Sequence, residues 1–554
     1  MATNLLFDKE TSIKDIAILV LFTLIAYIPF LGLPPWEGNE PLRVIIAKEM
    51  IQTGNWIMPI LHGKPYLAKP PLMNWLIATS GSLFGTVNEW TSRLPSVVTI
   101  FITSLIVYFS TQRWLGREGR LFTAVMTLVM TGILKKGREA EIECLHIMII
   151  TSILLVWING YLRRWKPALL WGISLFLTGI GFLSKGPQVL MFFYMTVIPY
   201  LLYRRKISLF FSKGHLFGMI ILIIVLSTYL IAILQWTTLD YYVHRWINEG
   251  ITRAESKQTI SFFIHLIKYP FEGIVSFTPC ILFLIPLINK ELRKEFKKGL
   301  SNELFTFCII LLLANFPLYW LLPNMRFRYF LPAGPFFAIA TGIVFEWYLK
   351  NITNFPIIEK FRVNLLKSTS LLSIIIPFIV INIVLSEKFS FDFSLIFLIF
   401  ILIFLSTYGF VKMRHIDLKH SYLYVCFITV VLFLIYTNLE VQYKNNDTNN
   451  QKRIAQEINH LLPSDIDTIY EIGYRRLLSV TSYIDRRVLQ IDQFSELEKI
   501  QMAKKRVCFI FDTEYMKQMQ KREKNFFLDR VNWQRIYTKY LKQSRGEIIV
   551  GLIN

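Results

Sequence analysis

The sequence predicts a polytopic α-helical membrane protein that ends in a small soluble α/β domain. Its 554 residues are 54% hydrophobic with a mean hydropathy of +0.45, which is well above a soluble chain of this length. The apolar residues come in blocks near the length that a bilayer requires. The basic residues behind the net charge of +22 lie between those blocks, a pattern typical of cytoplasmic membrane loops and not of nucleic-acid binding.

About thirteen apolar runs are predicted to span the membrane. Lys/Arg clusters recur in every second loop, which places those loops and the N-terminus in the cytoplasm and, for an odd number of spans, the C-terminus outside. The first span is expected to be retained as an anchor. The predicted spans are Ile16–Leu33, Leu94–Ser110, Leu121–Leu134, Leu145–Tyr161, Leu169–Ser184, Val189–Tyr203, Leu216–Trp236, Ile274–Ile288, Leu304–Leu322, Leu331–Leu349, Leu371–Leu385, Phe393–Phe410 and Tyr422–Tyr436.

The first outward loop, residues 34–93, opens with an acidic pair and a helix. In "PPWEGNEPLR", Glu37 and Glu40 directly follow the first span. Asn39 suits the N-cap of a helix, and Pro41 suits its first turn. Gly54 follows the expected end. The helix dipole favours the ionised form of both acids, so we expect carboxylates at this position.

This helix is predicted to lie in the membrane interface. Leu42, Ile45, Ile46 and Met50 form one apolar stripe, with Arg43, Lys48 and Glu49 elsewhere on the helix. An amphipathic helix of this kind lies along a membrane surface and does not cross it.

Further outward segments carry most of the distinctive charges. They are "KKGREAEIE" (Lys135–Glu143), the "SKGP" turn (Ser184–Pro187), the loop 237–272 and "NMRFRYF" (Asn324–Phe330). Acids and bases thus collect on one face of the membrane, where the basic residues run against the usual inward bias.

The C-terminal residues 438–554 are predicted to form a separate extracytoplasmic α/β domain, after a transmembrane domain at 1–437. Helical patterns cover Gln451–Leu462 and Ser495–Lys504, and strand patterns cover Thr468–Ile472, Arg506–Phe511 and Glu547–Leu552. No catalytic cluster is evident in this part of the sequence.

The stretch "WEGNEPLRVIIAKEMIQTGNWIMPILHGKPYLAKPPLMNWL" resembles the GT-C fold glycosyltransferases of the aminoarabinose transferase (ArnT) and protein O-mannosyltransferase type. Arg43, Ala47, Glu49 and Met50 match the family's interfacial helix, and the "KPP" motif begins at Lys69. The resemblance continues through "GREAEIE", "LSKGP" and "RWINEGITR" and covers about residues 10–350. It implies a GT-C-like fold with outward interfacial helices.

The resemblance also implies an activity and its site. Such enzymes transfer a sugar from a polyprenyl-phosphate donor to an envelope lipid, glycan or protein acceptor, at the outer face of the cytoplasmic membrane. A phosphate leaving group needs cations, and a hydroxyl acceptor needs a base. The implied catalytic residues are Glu40, Glu37 and Glu143; the implied donor-phosphate ligands are Lys69, Lys185, Arg138, Arg326 and Arg328; and the other implied substrate contacts are Asn39, Glu141 and Arg253.

Two departures from the family pattern bear on the chemistry. The family's leading aspartate falls on Asn39, which cannot act as a base, so Glu40 or Glu37 would take that role. The metal-ligand positions of the aminoarabinose transferases fall on Ala68 and Gly250. We therefore expect neither a metal nor another cofactor.

Two other functions remain open from the sequence. A transporter or flippase of lipid-linked sugars would have similar hydropathy, but it should carry ionisable residues near the middle of its spans and related halves. A non-catalytic protein that binds a lipid-linked sugar is also compatible with asparagine at position 39. Convergence of Glu40, Glu143, Lys69 and Lys185 would favour the enzyme.

Overall fold

The computed structural model describes residues 9–244, 259–299, 302–323, 325–385, 389–447, 450–472, 477–491, 494–503, 506–520, 532–541 and 546–553. The chain forms two compact units. The first comprises Met1–Leu31, Ala68–Met73 and Arg93–Leu439, and the second comprises Gly32–Leu67, Asn74–Ser92 and Glu440–Asn554. The second unit therefore combines most of the first outward loop with the C-terminal residues.

The first unit is helical throughout its described part. Eight described helices are long and apolar enough to cross a membrane, or nine if a bent pair counts as one span. The predicted total of thirteen spans stays a prediction. The helices are α1 (Lys9–Tyr27), α4 (Glu89–Ser110), α5 (Arg117–Val129), α6 (Thr131–Lys136), α7 (Glu143–Leu162), α8 (Pro167–Lys185), α9 (Gln188–Tyr203), α10 (Lys213–Ile233), α11 (Thr259–Ser276), α12 (Lys290–Lys298), α13 (Glu303–Leu321), α14 (Gly334–Asn351), α15 (Pro356–Leu385), α16 (Phe393–Lys412) and α17 (Leu418–Asn446).

Two predicted spans are interrupted in the structure. The span Leu121–Leu134 is divided at Met130 between α5 and α6, and the second interruption is sharper. Residues Ile274–Ile288 were expected to be a single helix, but α11 ends at Ser276 and a 3-10 helix follows over Cys280–Ile288. The two pieces are bent by 106°. Pro279 supplies the physical reason, because proline lacks the N–H that a continuous helix would use.

The first half of α1 is anchored by a buried acid. Asp15 of α1 is fully buried and accepts hydrogen bonds from Tyr108 (2.6 Å) and from Arg117 (2.8 Å to Nη2). A carboxylate is stable away from water only when such partners satisfy it. This contact fixes α1 against α4 and α5.

The second unit contains α2 (Glu40–Thr53), a short hairpin of β1 (Ile60–Leu61) and β2 (Lys64–Pro65), most of α3 (Leu72–Leu83), and the C-terminal fold. The latter has α18 (Gln451–Leu461), β3 (Thr468–Ile472), α19 (Leu478–Thr481), β4 (Arg487–Ile491), α20 (Phe494–Ala503), β5 (Val507–Asp512), α21 (Thr513–Gln520), β6 (Trp533–Leu541) and β7 (Gly546–Ile553). The strand order is β4-β3-β5-β7-β6, with β3 parallel to β4 and β5 and the β5-β7-β6 pairs antiparallel.

The interfacial helix forms where the sequence predicts it, but two of its details differ. Gly54 takes the left-handed conformation (φ 70°) that ends α2, as expected. Asn39 occupies the N-cap position without making a side-chain cap. Arg43 is not on an exposed face: it is 4% exposed, and its guanidinium reaches Asn74 (3.4 Å) and lies 5.8 Å from the centre of the Tyr66 ring. These partners explain how a charge is accommodated in the buried half of this helix.

Candidate active site

A buried network of opposite charges lies in the first unit. Lys185 Nζ lies 3.4 Å from Glu143 Oε1, and Arg328 Nε lies 3.5 Å from the same oxygen. Arg328 Nη1 donates to Glu141 Oε2 at 2.7 Å, and Lys136 Nζ lies 3.5 Å from that oxygen. Glu141 and Glu143 are 5% exposed and Lys185 is 6% exposed. We call these five residues, together with Glu139 beside Lys136, the charged cluster.

Three members of the cluster occupy helix ends. Glu143 is the first residue of α7, whereas Lys136 and Lys185 are the last residues of α6 and α8. The helix dipole stabilises an acid at an N-terminus and a cation at a C-terminus, so each charge has the favourable sign. Gly186 follows with φ 71°, a conformation that other residues rarely adopt, and turns the chain into α9.

An aromatic ring borders the two cations nearest Glu143. Lys185 Nζ lies 4.7 Å from the centre of the Tyr329 ring, and the Arg328 guanidinium carbon lies 5.5 Å from it. A ring face attracts a cation without using its hydrogen-bond donors. Lys185 thus remains held in place while an N–H can still be offered to an anion.

Glu141 has a raised affinity for a proton within the cluster. Burial, and then the negative charge of Glu143, raise the pKa of Glu141 to about 7. Lys136 and Arg328 act in the opposite direction. The cluster has three cations and three carboxylates, so protonation of Glu141 leaves one uncompensated positive charge.

Arg138 contacts the backbone at the end of the first span. Its Nη1 donates to the carbonyls of Ala26 (2.9 Å) and Tyr27 (3.1 Å), and its Nη2 donates to the carbonyl of Pro29. The carbonyls of Ala26 and Tyr27 belong to the last turn of α1, where carbonyls lack partners within the helix, and Pro29 follows that turn. In this structure Arg138 therefore stabilises a helix end; its predicted contact with a donor phosphate stays a prediction.

The acidic pair that opens the first loop belongs to the second unit. Glu40 is 3% exposed, and its Oε2 accepts a hydrogen bond of 3.0 Å from the backbone N–H of Glu37. Glu37 is exposed and pairs with Lys444 at 3.0 Å. The two acids thus have different surroundings, with Glu40 buried at the start of α2 and Glu37 bound to a lysine at its edge.

The structure places three of the four remaining predicted site residues. Lys69 is half-buried in the turn before α3, and Arg326 is exposed just before a 3-10 helix at Phe327–Tyr329. Asn39 is exposed. Arg253 lies outside the described residues. The roles assigned to these four residues stay predictions.

Sequence reasoning missed Lys136, Glu139 and Tyr329. The first two stand in "KKGREAEIE", where three cations precede three acids within nine residues. That concentration of charges is a usable signal. Tyr329 follows Arg328 directly in the chain. The sequence gives no comparable indication that this tyrosine belongs to the site. Among the described residues, no group of three or more His, Cys, Asp or Glu is placed to hold a metal ion.

The chain is similar in sequence to lipid-phosphate-dependent sugar transferases. The model for the family "Dolichyl-phosphate-mannose-protein mannosyltransferase" matches residues 68–231. A protein of Aquifex aeolicus described as uncharacterized is 27% identical over 371 residues, covering 65% of this chain and 69% of that protein. An undecaprenyl phosphate-alpha-4-amino-4-deoxy-L-arabinose arabinosyl transferase of Aeromonas salmonicida is 28% identical over 204 residues, covering 36% of this chain and 37% of the relative. This chain therefore spans less than half the length of that transferase.

The fold matches a solved structure over nearly the whole chain. The crystal structure of ArnT from Cupriavidus metallidurans bound to undecaprenyl phosphate superimposes with a TM-score of 0.66 at 13% sequence identity, covering 97% of each chain. The apo form of the same protein gives a TM-score of 0.67. The chain is thus a multi-pass membrane protein with the fold of ArnT, and it resembles the GT-C glycosyltransferases that the family model and these relatives represent.

Proposed function

We propose that this protein transfers a sugar from a polyprenyl-phosphate-linked donor to an envelope acceptor, which is a lipid A-like lipid, a glycan or a protein. The observation that carries the proposal is the charged cluster, in which Lys136, Lys185 and Arg328 pair with three carboxylates within an ArnT-like fold. Buried, preorganised cations are suited to a leaving group that gains negative charge, because they stabilise it without reorganisation.

The proposal gives different tasks to three residues of the cluster and to Glu40. Lys185 and Arg328 hold the donor phosphate by charge-assisted hydrogen bonds. Glu143, within 3.5 Å of both cations, fixes their positions. Glu40 is the carboxylate that faces the acceptor and accepts its proton if the acceptor is a hydroxyl.

The placement of the charges favours transfer over transport. Glu143, Lys136 and Lys185 lie at the first or last residue of their helices. A transporter of lipid-linked sugars should instead carry such residues at interrupted helices near the bilayer midplane.

A reconstituted assay tests the proposed activity. Purified protein is incubated with an undecaprenyl-phosphate sugar and membrane acceptors, and products are followed by mass spectrometry alongside envelopes from cells with and without the gene. The proposal requires release of undecaprenyl phosphate together with a sugar-modified product. Movement of the intact donor across a vesicle membrane, without cleavage of its sugar–phosphate bond, would contradict it.

We further propose that the site faces the periplasm and that the protein lies in the cytoplasmic membrane. A reporter fused after Asn445 should then report an extracytoplasmic position, because alternate basic loops retain the N-terminus inside. A fusion within the basic helix α12 is the matched control and should report cytoplasm. A cytoplasmic signal from both fusions would reverse the predicted orientation.

Donor affinity should depend on pH through Glu141. Because its pKa is raised to about 7, the carboxyl takes up a proton as the pH falls through neutrality, and the cluster gains a net positive charge. Affinity for undecaprenyl phosphate should therefore increase from pH 8 to pH 6 by up to about tenfold. Glu141→Gln should bind tightly without this dependence, apart from titration of the ligand's own phosphate. If the native protein and Glu141→Gln show the same dependence of affinity on pH, Glu141 is not the cause of that dependence.

Transfer should not require a divalent metal. Alanine at position 68 and glycine at position 250 stand where the aminoarabinose transferases carry metal ligands, and lysine and arginine can neutralise the leaving phosphate instead. Treatment with EDTA should leave the transfer rate unchanged. Loss of activity that zinc restores would show that a metal site exists.

A further inference from the structure

A pocket of about 820 Å³ lies within the second unit. One wall is the exposed side of α2, with Lys48, Glu49 and Gln52. The last turn of α3 and the residues that follow it, within 81–87, form another wall, and residues within 481–488, at the start of β4 and before it, form the third. A volume of this size accommodates a small organic ligand of roughly disaccharide size.

The pocket is lined by both cations and acids. Lys48, Arg486 and Arg487 supply positive charges, and Glu49 and Asp485 supply negative ones. The acids already have partners: Glu49 accepts hydrogen bonds of 3.3 Å from the backbone N–H of Gly63, and Asp485 accepts one of 3.1 Å from Asn459.

The arginine pair provides unused donors. The Nε of Arg486 is buried and has no hydrogen-bond partner among the described residues. A buried donor without a partner is costly, and a ligand that accepts its hydrogen bond removes that cost. Arg487 is exposed at the first position of β4, beside Arg486. Two adjacent guanidinium groups can bind a phosphate through several N–H groups at once.

Neutral polar side chains complete the lining. Gln52 and Thr53 at the end of α2, Ser82 in the last turn of α3 and Thr86 after it lie around the same volume. Amide and hydroxyl groups are the usual partners of sugar hydroxyls, since they both donate and accept hydrogen bonds. The pocket therefore combines anion-binding and hydroxyl-binding groups.

We propose that this pocket binds a phosphorylated sugar, with Arg486 and Arg487 on the phosphate and the neutral polar side chains on the hydroxyls. This inference goes beyond the proposed transfer reaction, because it assigns a recognition site whose occupancy does not require the sugar donor.

Binding of glucose 1-phosphate to the full-length purified protein, measured by calorimetry without any donor, tests the inference. Arg486→Gln and Arg487→Gln should each weaken binding about tenfold or more, as expected for loss of a hydrogen bond to a charged group. Arg487→Lys, which keeps the charge but loses the planar fork, should lie between Arg487→Gln and the native protein. Arg506→Gln is the matched control, because Arg506 pairs with Asp465 at 2.8 Å and does not line the pocket.

Several outcomes would overturn the inference. They are equal affinity for inorganic phosphate and glucose 1-phosphate, unchanged affinity in folded Arg486→Gln and Arg487→Gln, or an equal loss in Arg506→Gln. Titration in phosphatidylcholine nanodiscs with and without phosphatidylinositol 4-phosphate distinguishes the source of the ligand. If that lipid competes with glucose 1-phosphate, the pocket binds a lipid headgroup. If the lipid does not compete, the pocket binds a soluble or glycan phosphate. This experiment measures binding and not sugar transfer. Its result can therefore be interpreted even if the proposed enzyme activity is not found.

Discussion

Lys185→Met is expected to weaken binding of an undecaprenyl-phosphate sugar by about tenfold to a hundredfold and to slow transfer correspondingly. Methionine keeps most of the length of lysine but removes the charge that lies 3.4 Å from Glu143. A donor phosphate would then lose a charge-assisted partner in a buried site, where such a partner contributes most. Donor affinity and transfer rate are measured separately, by titration and by product formation.

The main alternative effect of Lys185→Met is loss of folding. Removing one partner of a buried ion pair commonly costs about 3–5 kcal/mol, because the other charge remains unpaired. The double variant Glu143→Gln with Lys185→Met removes both charges, so it should recover thermal stability without recovering donor affinity. Lys350→Met is the matched control, since Lys350 pairs with Glu346 at 2.7 Å and is exposed. Wild-type donor affinity in a folded double variant would exclude Lys185 as a phosphate ligand.

Glu40→Gln is expected to lower turnover by about a hundredfold or more while donor binding persists. Glutamine keeps the size of the side chain and an oxygen that can accept from the Glu37 N–H, but it cannot take a proton from an acceptor hydroxyl. The helix start should therefore survive the substitution. Single-turnover measurements with saturating donor would isolate the chemical step.

The neighbouring positions provide the controls for Glu40. Glu37→Gln should have a much smaller effect, because Glu37 is exposed and already paired with Lys444. If Glu37→Gln and Glu40→Gln both transfer at the native rate, the two acids only stabilise the start of α2. If Asn39→Asp creates activity that the native chain lacks, the native protein binds a lipid-linked sugar without transferring it.

Much of the charged cluster was predictable because its members stand in motifs at helix ends. Glu141, Glu143, Lys185 and Arg328 were all selected from the sequence, and the structure brings their side chains together. Contacts with backbone carbonyls were not predictable. The position of Arg138 against the last turn of α1 depends on how two helices pack, and residue type alone does not encode this.

The C-terminal fold illustrates the same limit. Strands β3, β5 and β7 and both longer helices were predicted, because buried strands are continuous apolar runs. Strands β4 and β6 were missed. They are the two edges of the sheet, and β6, "WQRIYTKYL", mixes charged and aromatic residues in a way that also suits a loop.

The second unit combines segments that are far apart in the chain, and this determines when it can form during synthesis. The Trp36 backbone N–H donates to the Tyr483 hydroxyl (2.7 Å), the two rings stack at 4.4 Å, and the buried His62 pairs with Glu471. Trp36 and Tyr483 are 447 residues apart in the chain. At ribosomal rates of about 5–20 residues per second, the first loop emerges roughly 20–90 seconds before its partner exists. The first loop therefore waits for its C-terminal partners until synthesis is nearly complete, and a nascent chain interrupted before residue 481 lacks one wall of the pocket in the second unit.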